Sequence, residues 1–344
     1  MISAISKYCQ DSDGKSFIGN DCAYLQDLGL LISQDSLVEN IHFLRDKITP
    51  YQLGWKSCIV NLSDIYAGGG VAKYITISIS LPKNLYKTKS YNNFIDEFYR
   101  GVNDACKVQE KFGFEKVKII GGDITGSEKD IFISITAIGK IDSNLKASSR
   151  GKAKVGYKVI LSGEVGTSDA GLKLILNEEK YNTSNIKDTI VDKELFIKYH
   201  LEPQIDIEFS QAISSVANQY NFEYAMMDCS DGLIDCLGKI ATASDVLIQL
   251  DCQNNFKKIP FNQKIKQFKN WQEMILFGGE DYKLIACIPD FVCNILQEQQ
   301  IRFFEIGKVV KKQNQNNCVE LLLDKNTKCL SMEDIENKCF QHFE

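Results

Sequence analysis

The chain has 344 residues, of which 44% are hydrophobic and 25% are charged, as in soluble globular proteins. Its length favours two domains over one core, and its formal net charge of −5 gives no general electrostatic reason to expect a nucleic-acid partner. No apolar run approaches the roughly 18 residues of a membrane-spanning helix. Residues 1–17 lack the basic-then-apolar order of a signal peptide, and the 12 cysteines are scattered without a Cys-x-x-Cys pair. We therefore expect a cytoplasmic protein without structural zinc.

The first part of the chain mixes strand and helix patterns. Strands are predicted over residues 28–33, 74–81, 117–120 and 131–138, and helices over 51–67 and 92–112. Asn61 and Asp64 share a face of the first helix, which Gly68-Gly69-Gly70 ends. The pattern loosens over residues 141–153. We place a domain boundary there, with an N-terminal domain of residues 1–145 and a C-terminal domain of residues 146–344.

The second part continues the mixture. Strands are predicted over residues 157–162, 246–250, 283–288, 303–309 and 319–323, and helices over 167–177, 191–200, 205–220, 233–243 and 291–300. Neither part alternates strictly as strand-helix-strand. The pattern therefore favours an α+β fold over a Rossmann sheet.

The stretch Met226-Met227-Asp228-Cys229-Ser230-Asp231-Gly232-Leu233 carries the strongest chemical signal. An apolar run ends in two aspartates with two residues between them, and a helical pattern follows. Two crowded carboxylates repel each other unless something neutralises them, and Mg²⁺ prefers such oxygen ligands. The alternative is that one aspartate only caps the helix.

The same pattern, an aspartate at or beside the end of a predicted helix or strand, occurs at six positions: Asp21, Asp35, Asp64, Asp123, Asp228 and Asp231. Glycine beside several of them would let a phosphate approach the backbone closely. Aspartate is also common in ordinary turns, so the six indicate a multi-metal phosphate site only if they converge in space.

Other phosphate and nucleophile motifs are missing. The chain has neither a complete P-loop nor a GxGxxG motif after a strand. It has 3 histidines, His42, His200 and His342, and none accompanies a nucleophile motif. Phosphoryl chemistry in this chain would therefore depend on metal ions and backbone amides.

Eight short segments, taken in their order and spacing, resemble the thiamine-monophosphate kinase family. Each segment is weak alone, but the set is highly specific. The segments are Gly19-Asn20-Asp21-Cys22-Ala23, Ser33-Gln34-Asp35-Ser36-Leu37-Val38, Asn40-Ile41-His42-Phe43, Val60-Asn61-Leu62-Ser63-Asp64, Gly121-Gly122-Asp123-Ile124-Thr125, Ser149-Arg150-Gly151-Lys152-Ala153, Asp228-Cys229-Ser230-Asp231-Gly232-Leu233 and Gly278-Gly279-Glu280-Asp281-Tyr282.

The resemblance implies a two-domain PurM-like (AIR synthase-like) α+β fold, in a homodimer whose N-terminal sheets join into a barrel. It implies ATP-dependent phosphorylation of thiamine phosphate to thiamine diphosphate by direct in-line transfer, the last step in making thiamine diphosphate. Several Mg²⁺ ions would bridge the two substrates. The alternatives are another PurM-like ATP-dependent synthetase, of the selenophosphate or aminoimidazole ribonucleotide type, and a nucleotide-binding subunit without catalysis.

The resemblance also implies roles for individual residues. The metal ligands would be the six aspartates, with Ser33 and Gln34 beside Asp35. ATP would contact Gly122, Asp123, Arg150, Ser230 and Tyr99. Thiamine phosphate would contact His42, Glu280 and Phe340. Asp123, Asp228 and Arg150 would carry catalysis.

Five of these assignments have a purely structural alternative. His42 is then a packed histidine, Arg150 a solvated linker charge, Phe340 a core residue, Tyr99 a helix-face aromatic and Glu280 a turn acid.

The chain also departs from the family pattern. Asn20 replaces an aspartate, Gln34 replaces a small hydroxyl residue, and Tyr199 replaces the arginine before His200. If the hydroxyl at position 34 binds metal, that contact is lost. If only its backbone does, little changes.

Overall fold

The computed structural model describes residues 5–10, 16–86, 90–176 and 190–339. Five strands from the first part of the chain form one sheet in the order β1-β2-β5-β3-β4. All neighbours in this sheet are antiparallel except β3 and β4. The strands are β1 (Ala23–Leu25), β2 (Leu30–Val38), β3 (Val71–Pro82), β4 (Lys118–Ser127) and β5 (Phe132–Lys140).

Seven strands from the second part form another sheet in the order β12-β11-β8-β10-β6-β9-β7. Only β8 and β11 are parallel neighbours. The strands are β6 (Lys158–Leu161), β7 (Ala225–Asp228), β8 (Leu247–Asp251), β9 (Leu284–Ile288), β10 (Phe304–Val310), β11 (Asn317–Leu322) and β12 (Thr327–Ser331). The predominance of antiparallel pairs confirms a mixed α+β architecture and excludes a Rossmann sheet.

The helices of more than one turn are α1 (Pro50–Ala67), α2 (Ser90–Ala105), α3 (Thr167–Ile175), α4 (Ile190–Leu201), α5 (Ile207–Gln219), α6 (Leu233–Ala243), α7 (Trp271–Phe277), α8 (Asp290–Glu298) and α9 (Met332–Glu336). Shorter helical segments occur at Lys83–Tyr86, Gln253–Phe256, Ser6–Tyr8, Gln26–Leu28, Glu110–Phe112, Arg150–Lys152 and Gln263–Gln267. Within the described ranges, every helix is too short or too polar to cross a membrane.

Helix α1 is the central element. A capping box starts it: the Thr49 side chain accepts a hydrogen bond from the Gln52 amide, and Gln52 accepts one from the Thr49 amide. The helix packs on β2 and β5 of the first sheet and on α2. A Cβ on Gly54 would lie 2.0 Å from the Phe98 carbonyl oxygen, and one on Gly101 would lie 1.9 Å from that of Tyr51. Glycine at both positions therefore permits this close helix crossing.

One hydrophobic core runs through both parts of the chain. It joins buried residues of α1, such as Ile59 and Leu62, to Tyr224, Met226 and Leu284 in and beside the second sheet. The predicted boundary at residue 145 falls between the two sheets, but apolar packing is continuous across it.

Several predicted element boundaries are wrong. Asp35 does not follow a strand, because β2 continues to Val38 in unbroken pairing with β5. Gly122 and Asp123 likewise lie inside β4, where Gly122 pairs with Ile77. Helix α2 ends at Ala105, well before residue 112. Strands β1 and β12 and helices α7 and α9 were not predicted; β12 has only one buried residue among its five, so it gives no apolar pattern.

Candidate active site

Three aspartates from distant segments converge between the two sheets. Asp21 precedes β1, Asp64 lies in the last turns of α1, and Asp228 ends β7. One carboxylate oxygen from each lies within 4.8 Å of those of the other two. We call these three residues the acidic triad. Three of the six aspartates that were predicted as metal ligands therefore meet, which the sequence could not establish.

Hydrogen-bond donors from neighbouring segments hold each member of the acidic triad. The Arg150 guanidinium contacts Asp21 at 2.5 Å, and the Ser63 hydroxyl donates to Asp228 at 2.7 Å. The Ser33 hydroxyl donates to the Asp64 carboxylate. The carboxylates are thus fixed in place rather than free to turn away from one another.

The triad concentrates negative charge out of water. Burial raises the pKa of Asp228 to about 8, and the charge of Asp21 adds to this effect. Burial also raises the pKa of Asp64 well above its usual value, with contributions from Asp228 and Asp35. The pKa of Asp21 is raised by burial despite the opposing charge of Arg150. Such a group favours a bound cation, and its all-oxygen donor set suits a hard divalent ion such as Mg²⁺.

Arg150 is held by its backbone as well as by Asp21. Its amide donates to the Asn20 side-chain oxygen at 2.9 Å, and its carbonyl accepts from the Ser244 hydroxyl at 2.7 Å. Its Nε is buried and, among the described residues, has no hydrogen-bond partner. A fixed guanidinium with an unused donor suits a phosphate group. The Asn20 side-chain oxygen accepts the hydrogen bond from the Arg150 amide, and an aspartate oxygen could accept it in the same way.

The residues around Asp35 divide between the two faces of β2. Ser33 is buried and bonded to Asp64, and the Asp35 amide donates to Asn61 on α1 at 2.8 Å. The Gln34 side chain lies on the opposite face, where it bonds to Ser134 and Thr136 of β5. Only the backbone of Gln34 therefore faces the acidic triad.

Ser230 and Asp231 lie in the bend that follows Asp228 and precedes α6. Asp231 pairs with Lys239 of α6 at 2.7 Å, and Lys239 also contacts Asp235 at 2.6 Å. The Ser230 carbonyl accepts a hydrogen bond from the Glu280 amide at 2.6 Å. The loops at residues 228–232 and 278–282 therefore form one unit.

The remaining predicted nucleotide contacts are on β4 and α2. Gly122 occupies the same row of the sheet as Asp35, three strand spacings or about 14 Å away. Asp123 is exposed on the edge strand β4. Tyr99 is half-buried on α2, where its ring packs edge-on against Phe98.

The predicted acceptor contacts gather around Glu280. Its carboxylate lies 3.0 Å from Lys56 Nζ and 3.4 Å from His200 Nδ1. His42 accepts a hydrogen bond from the Val38 amide through Nδ1, and it is close enough to act on the charge of Glu280. Phe340 lies outside the described residues.

Sequence reasoning missed Lys56 and the role of His200. Lys56 is 1% exposed although it carries a charge. A signal was present: α1 has apolar residues on all sides, so a lysine within it has no solvent-facing surface. The partner of such a buried lysine could not be identified, because Glu280 and His200 come from distant segments.

A family model and two relatives show to which class of proteins the chain is similar. Residues 19–141 match the family model described as AIR synthase related protein, N-terminal domain. The thiamine-monophosphate kinase of Aquifex aeolicus is 35% identical over 79% of this chain and 80% of its own length. That of Bacillus subtilis is 29% identical over 95% of this chain and 93% of its own length.

A solved structure agrees with these relatives. AaThiL complexed with AMPPCP and TMP is 30% identical, with a TM-score of 0.75 over 94% of this chain and 92% of that one. The chain belongs to the thiamine-monophosphate kinase family. This confirms the family resemblance, the prediction of a kinase and the mixed α+β PurM-like fold.

Proposed function

We propose that the protein transfers the γ-phosphate of ATP to thiamine monophosphate, giving thiamine diphosphate and ADP. The observation that carries this proposal is the convergence of Asp21, Asp64 and Asp228 beside Arg150, in a chain of this family. The complex of AaThiL with AMPPCP, an ATP analogue, and TMP supports the same pair of substrates. The arrangement brings acids and one cation together where two anionic substrates must meet.

The acidic triad would hold Mg²⁺, with Asp35 beside it. Ser33 orients Asp64, and Gln34 would contribute only through its backbone, since its side chain is bonded to β5. Asp231 and Asp123 complete the proposed ligand set from outside the triad. Bound there, Mg²⁺ would neutralise the phosphate oxygens of the nucleotide. Several ions fit this many carboxylates better than one does.

The nucleotide would contact Arg150, Ser230, Gly122, Asp123 and Tyr99. Arg150 offers a fixed, partly unused guanidinium to phosphate oxygens. Glycine at position 122 is required by the sheet itself, since a Cβ would lie 1.9 Å from the Ile77 carbonyl oxygen of β3, and its contact with ATP is proposed from the family resemblance. Side chains on both sheets would thus contact one ATP molecule.

The acceptor would lie against Glu280 and His42, with Phe340 added from the C-terminal segment. The exposed part of Glu280 offers an anionic contact to a cationic acceptor.

The chemistry would be a direct in-line displacement. A phosphate oxygen of thiamine monophosphate attacks the γ-phosphorus of ATP, the bond to the bridging oxygen breaks, and ADP leaves. A phosphate monoester is already largely ionised near pH 7, so the reaction needs no strong general base. Arg150 would stabilise the charge that develops on the transferred group.

We further propose that the protein is a homodimer with two domains, residues 1–145 and 146–344, and that it acts in the cytoplasm. Strand β4 supports the dimer, because it lies at a sheet edge with Ile119, Ile120 and Ile124 all exposed. An exposed apolar edge strand favours pairing with another chain. Two such edges would join the first sheets of two copies into a barrel.

The decisive experiment measures ADP release from ATP and Mg²⁺ with one acceptor at a time. We expect release with thiamine monophosphate, and none with thiamine or with aminoimidazole ribonucleotide precursors. Release with a precursor would instead indicate a synthetase of the same fold. Binding of ATP without release for any acceptor would indicate a non-catalytic subunit.

A further inference from the structure

Lys56 and His200 contact the carboxylate of Glu280 on its buried side. Lys56 Nζ lies 3.0 Å from one carboxylate oxygen, and His200 Nδ1 lies 3.4 Å from the other. Lys56 Nζ is also 3.4 Å from His200 Nε2, so each of the three groups contacts the other two. His200 Nδ1 lies 3.0 Å from the Ser168 hydroxyl as well. We call Lys56, His200 and Glu280 the Lys56 cluster. It joins three separate segments: helix α1, helix α4 and the loop before β9.

The Lys56 cluster is costly for the fold. Lys56 is 1% exposed and His200 is 5% exposed. Burying an ammonium group costs several kcal/mol, and apolar side chains of similar size often stabilise a fold more than a buried ion pair does. Glu280 also adopts a left-handed backbone conformation, with φ of 64°, which non-glycine residues rarely adopt. Strain and buried charge at one point suggest a functional constraint.

Glu280 itself is not fully enclosed. Its side chain keeps 29% of its surface exposed, while Lys56 and His200 contact its two oxygens from the buried side. Burial acts to raise the pKa of Glu280, but the charge and hydrogen bond of Lys56, with smaller contributions from His200 and His42, together lower it. The carboxylate is therefore fixed, ionised and presented outward, where it can accept N–H donors or attract an organic cation.

Neighbouring contacts hold the cluster relative to the acidic triad. On the same helix, Gln52 donates to Glu202 at 3.1 Å, and the Trp55 indole donates to the Pro203 carbonyl at 2.9 Å. Lys56 and Ser63 lie seven residues apart on one face of α1, a rise of about 10 Å. Ser63 contacts Asp228. One helix thus fixes both Glu280 and a member of the triad.

We propose that Lys56 and His200 are positioning residues, which hold Glu280 against the cationic, amine-bearing end of the phosphate acceptor. The proposal rests on the proposed function, in which Glu280 contacts that acceptor. It assigns to α1 a second task besides metal binding: setting the distance between the acceptor's organic end and its phosphate. It also gives the His-x-x-Pro segment at His200 a role, because His200, Glu202 and Pro203 all dock on α1.

The test compares Lys56→Met, which keeps the length and apolar stem but removes the charge, with Lys56→Arg. Lys312→Met is the control, since Lys312 is also paired and only 18% exposed, but its partner is Asp245 on another surface. For Lys56→Met we expect the KM for thiamine monophosphate to rise by about tenfold or more, with the KM for ATP within about twofold. Lys56→Arg should recover part of this loss, and Lys312→Met should behave as the wild type does.

A purely structural role would change both KM values together, or only the melting temperature, and either result would overturn the proposal. A second readout does not depend on activity. In protein with ¹³C-labelled glutamate carboxyls, the Glu280 signal, assigned with Glu280→Gln, should titrate at higher pH in Lys56→Met than in the wild type. An unchanged titration would overturn the proposal, whether or not the wild type is active toward thiamine monophosphate. A wild type that is inactive toward thiamine monophosphate would refute only the proposed function.

Discussion

Ser63 on helix α1 donates a hydrogen bond to Asp228 at the end of β7 over 2.7 Å, although 165 positions separate them in the chain. Both side chains are buried, and the bond links the helix that carries Asp64 to the strand that carries Asp228. The spacing within the acidic triad therefore depends on a contact between helix α1, which packs on the first sheet, and strand β7 of the second sheet. Two separately folding domains without this contact would not form the site.

Replacing Ser63 by alanine should impair activity more than its small size suggests. Ser63→Ala leaves a buried carboxylate without its hydrogen-bond donor, which lowers the free energy of unfolding by roughly 1–3 kcal/mol. It also frees the Asp228 side chain to turn. We expect kcat to fall by about tenfold and the Mg²⁺ concentration for half-maximal activity to rise. Ser57→Ala is the matched control, because Ser57 is equally buried on the same helix but donates only to the Leu53 carbonyl. Equal kinetics in the two variants would contradict the role of Ser63.

Replacing Asp228 by asparagine should abolish turnover while the protein stays folded. The change removes one of three mutually repelling buried carboxylates, so we expect unfolding free energy without Mg²⁺ to stay equal or to rise. With the ligand gone, kcat should fall by more than about 100-fold, and the stabilisation by added Mg²⁺ should shrink. Thermal melts with and without Mg²⁺ measure this directly.

Asp245→Asn is the control for the acidic triad. Asp245 is 90% exposed, and its contact with Lys312 spans 3.5 Å on the surface. Asparagine also tolerates its left-handed backbone, with φ of 51°. This variant should keep wild-type turnover. Near-normal activity in Asp228→Asn would refute its role as a metal ligand, and Asp123→Asn applies the same test to the residue on β4.

The elements that the sequence predicted well are those whose periodicity is local. Helix α6 was predicted over residues 233–243 and spans Leu233–Ala243, because its apolar spacing begins directly after an acidic turn. The bounds of β2 and β4 were wrong because polar residues inside them resemble turns. Their neighbours β5 and β3 satisfy the backbone there, and a partner strand cannot be seen in a local pattern.

The candidate site divides in the same way. The aspartates could be singled out from their positions at the ends of predicted elements and from the family resemblance, and three of them meet in the acidic triad. Which residues would hold them could not be predicted, because Ser33, Ser63 and Arg150 reach them across the fold. Lys56 illustrates the limit: its burial follows from the helix pattern, whereas its pairing with Glu280 depends on tertiary structure.

His200 should make the protein less stable as the pH falls. Burial, together with the positive charge of Lys56, lowers its pKa from 6.5 to about 3, while Glu280 acts in the opposite direction. The folded protein therefore keeps His200 neutral, whereas the unfolded chain takes up a proton below pH 6.5. Its contribution to stability is complete above pH 6.5 and decreases as the pH falls toward 3, by about 2 kcal/mol between pH 7.5 and 5.

Urea unfolding of the wild type and His200→Gln at pH 7.5, 6.5 and 5 checks this. Lys56 and Glu280 remain in both proteins, so the difference between the two pH profiles isolates the histidine. The wild type should lose about 2 kcal/mol more than the variant over this range. Parallel profiles would show that His200 binds its proton equally well in the folded and unfolded states.

A charge on β4 should separate the proposed dimer. Ile120 is 55% exposed on this edge strand, and Ile124 is 49% exposed. If two β4 edges pair, Ile120→Asp would place two carboxylates in an apolar contact, where neither can be solvated. Sedimentation equilibrium should then give the mass of one chain instead of two. Val155→Asp is the control, since Val155 is 59% exposed but lies in the turn before β6. A wild type that sediments as a monomer, or an Ile120→Asp variant that remains a dimer, would rule out pairing through β4.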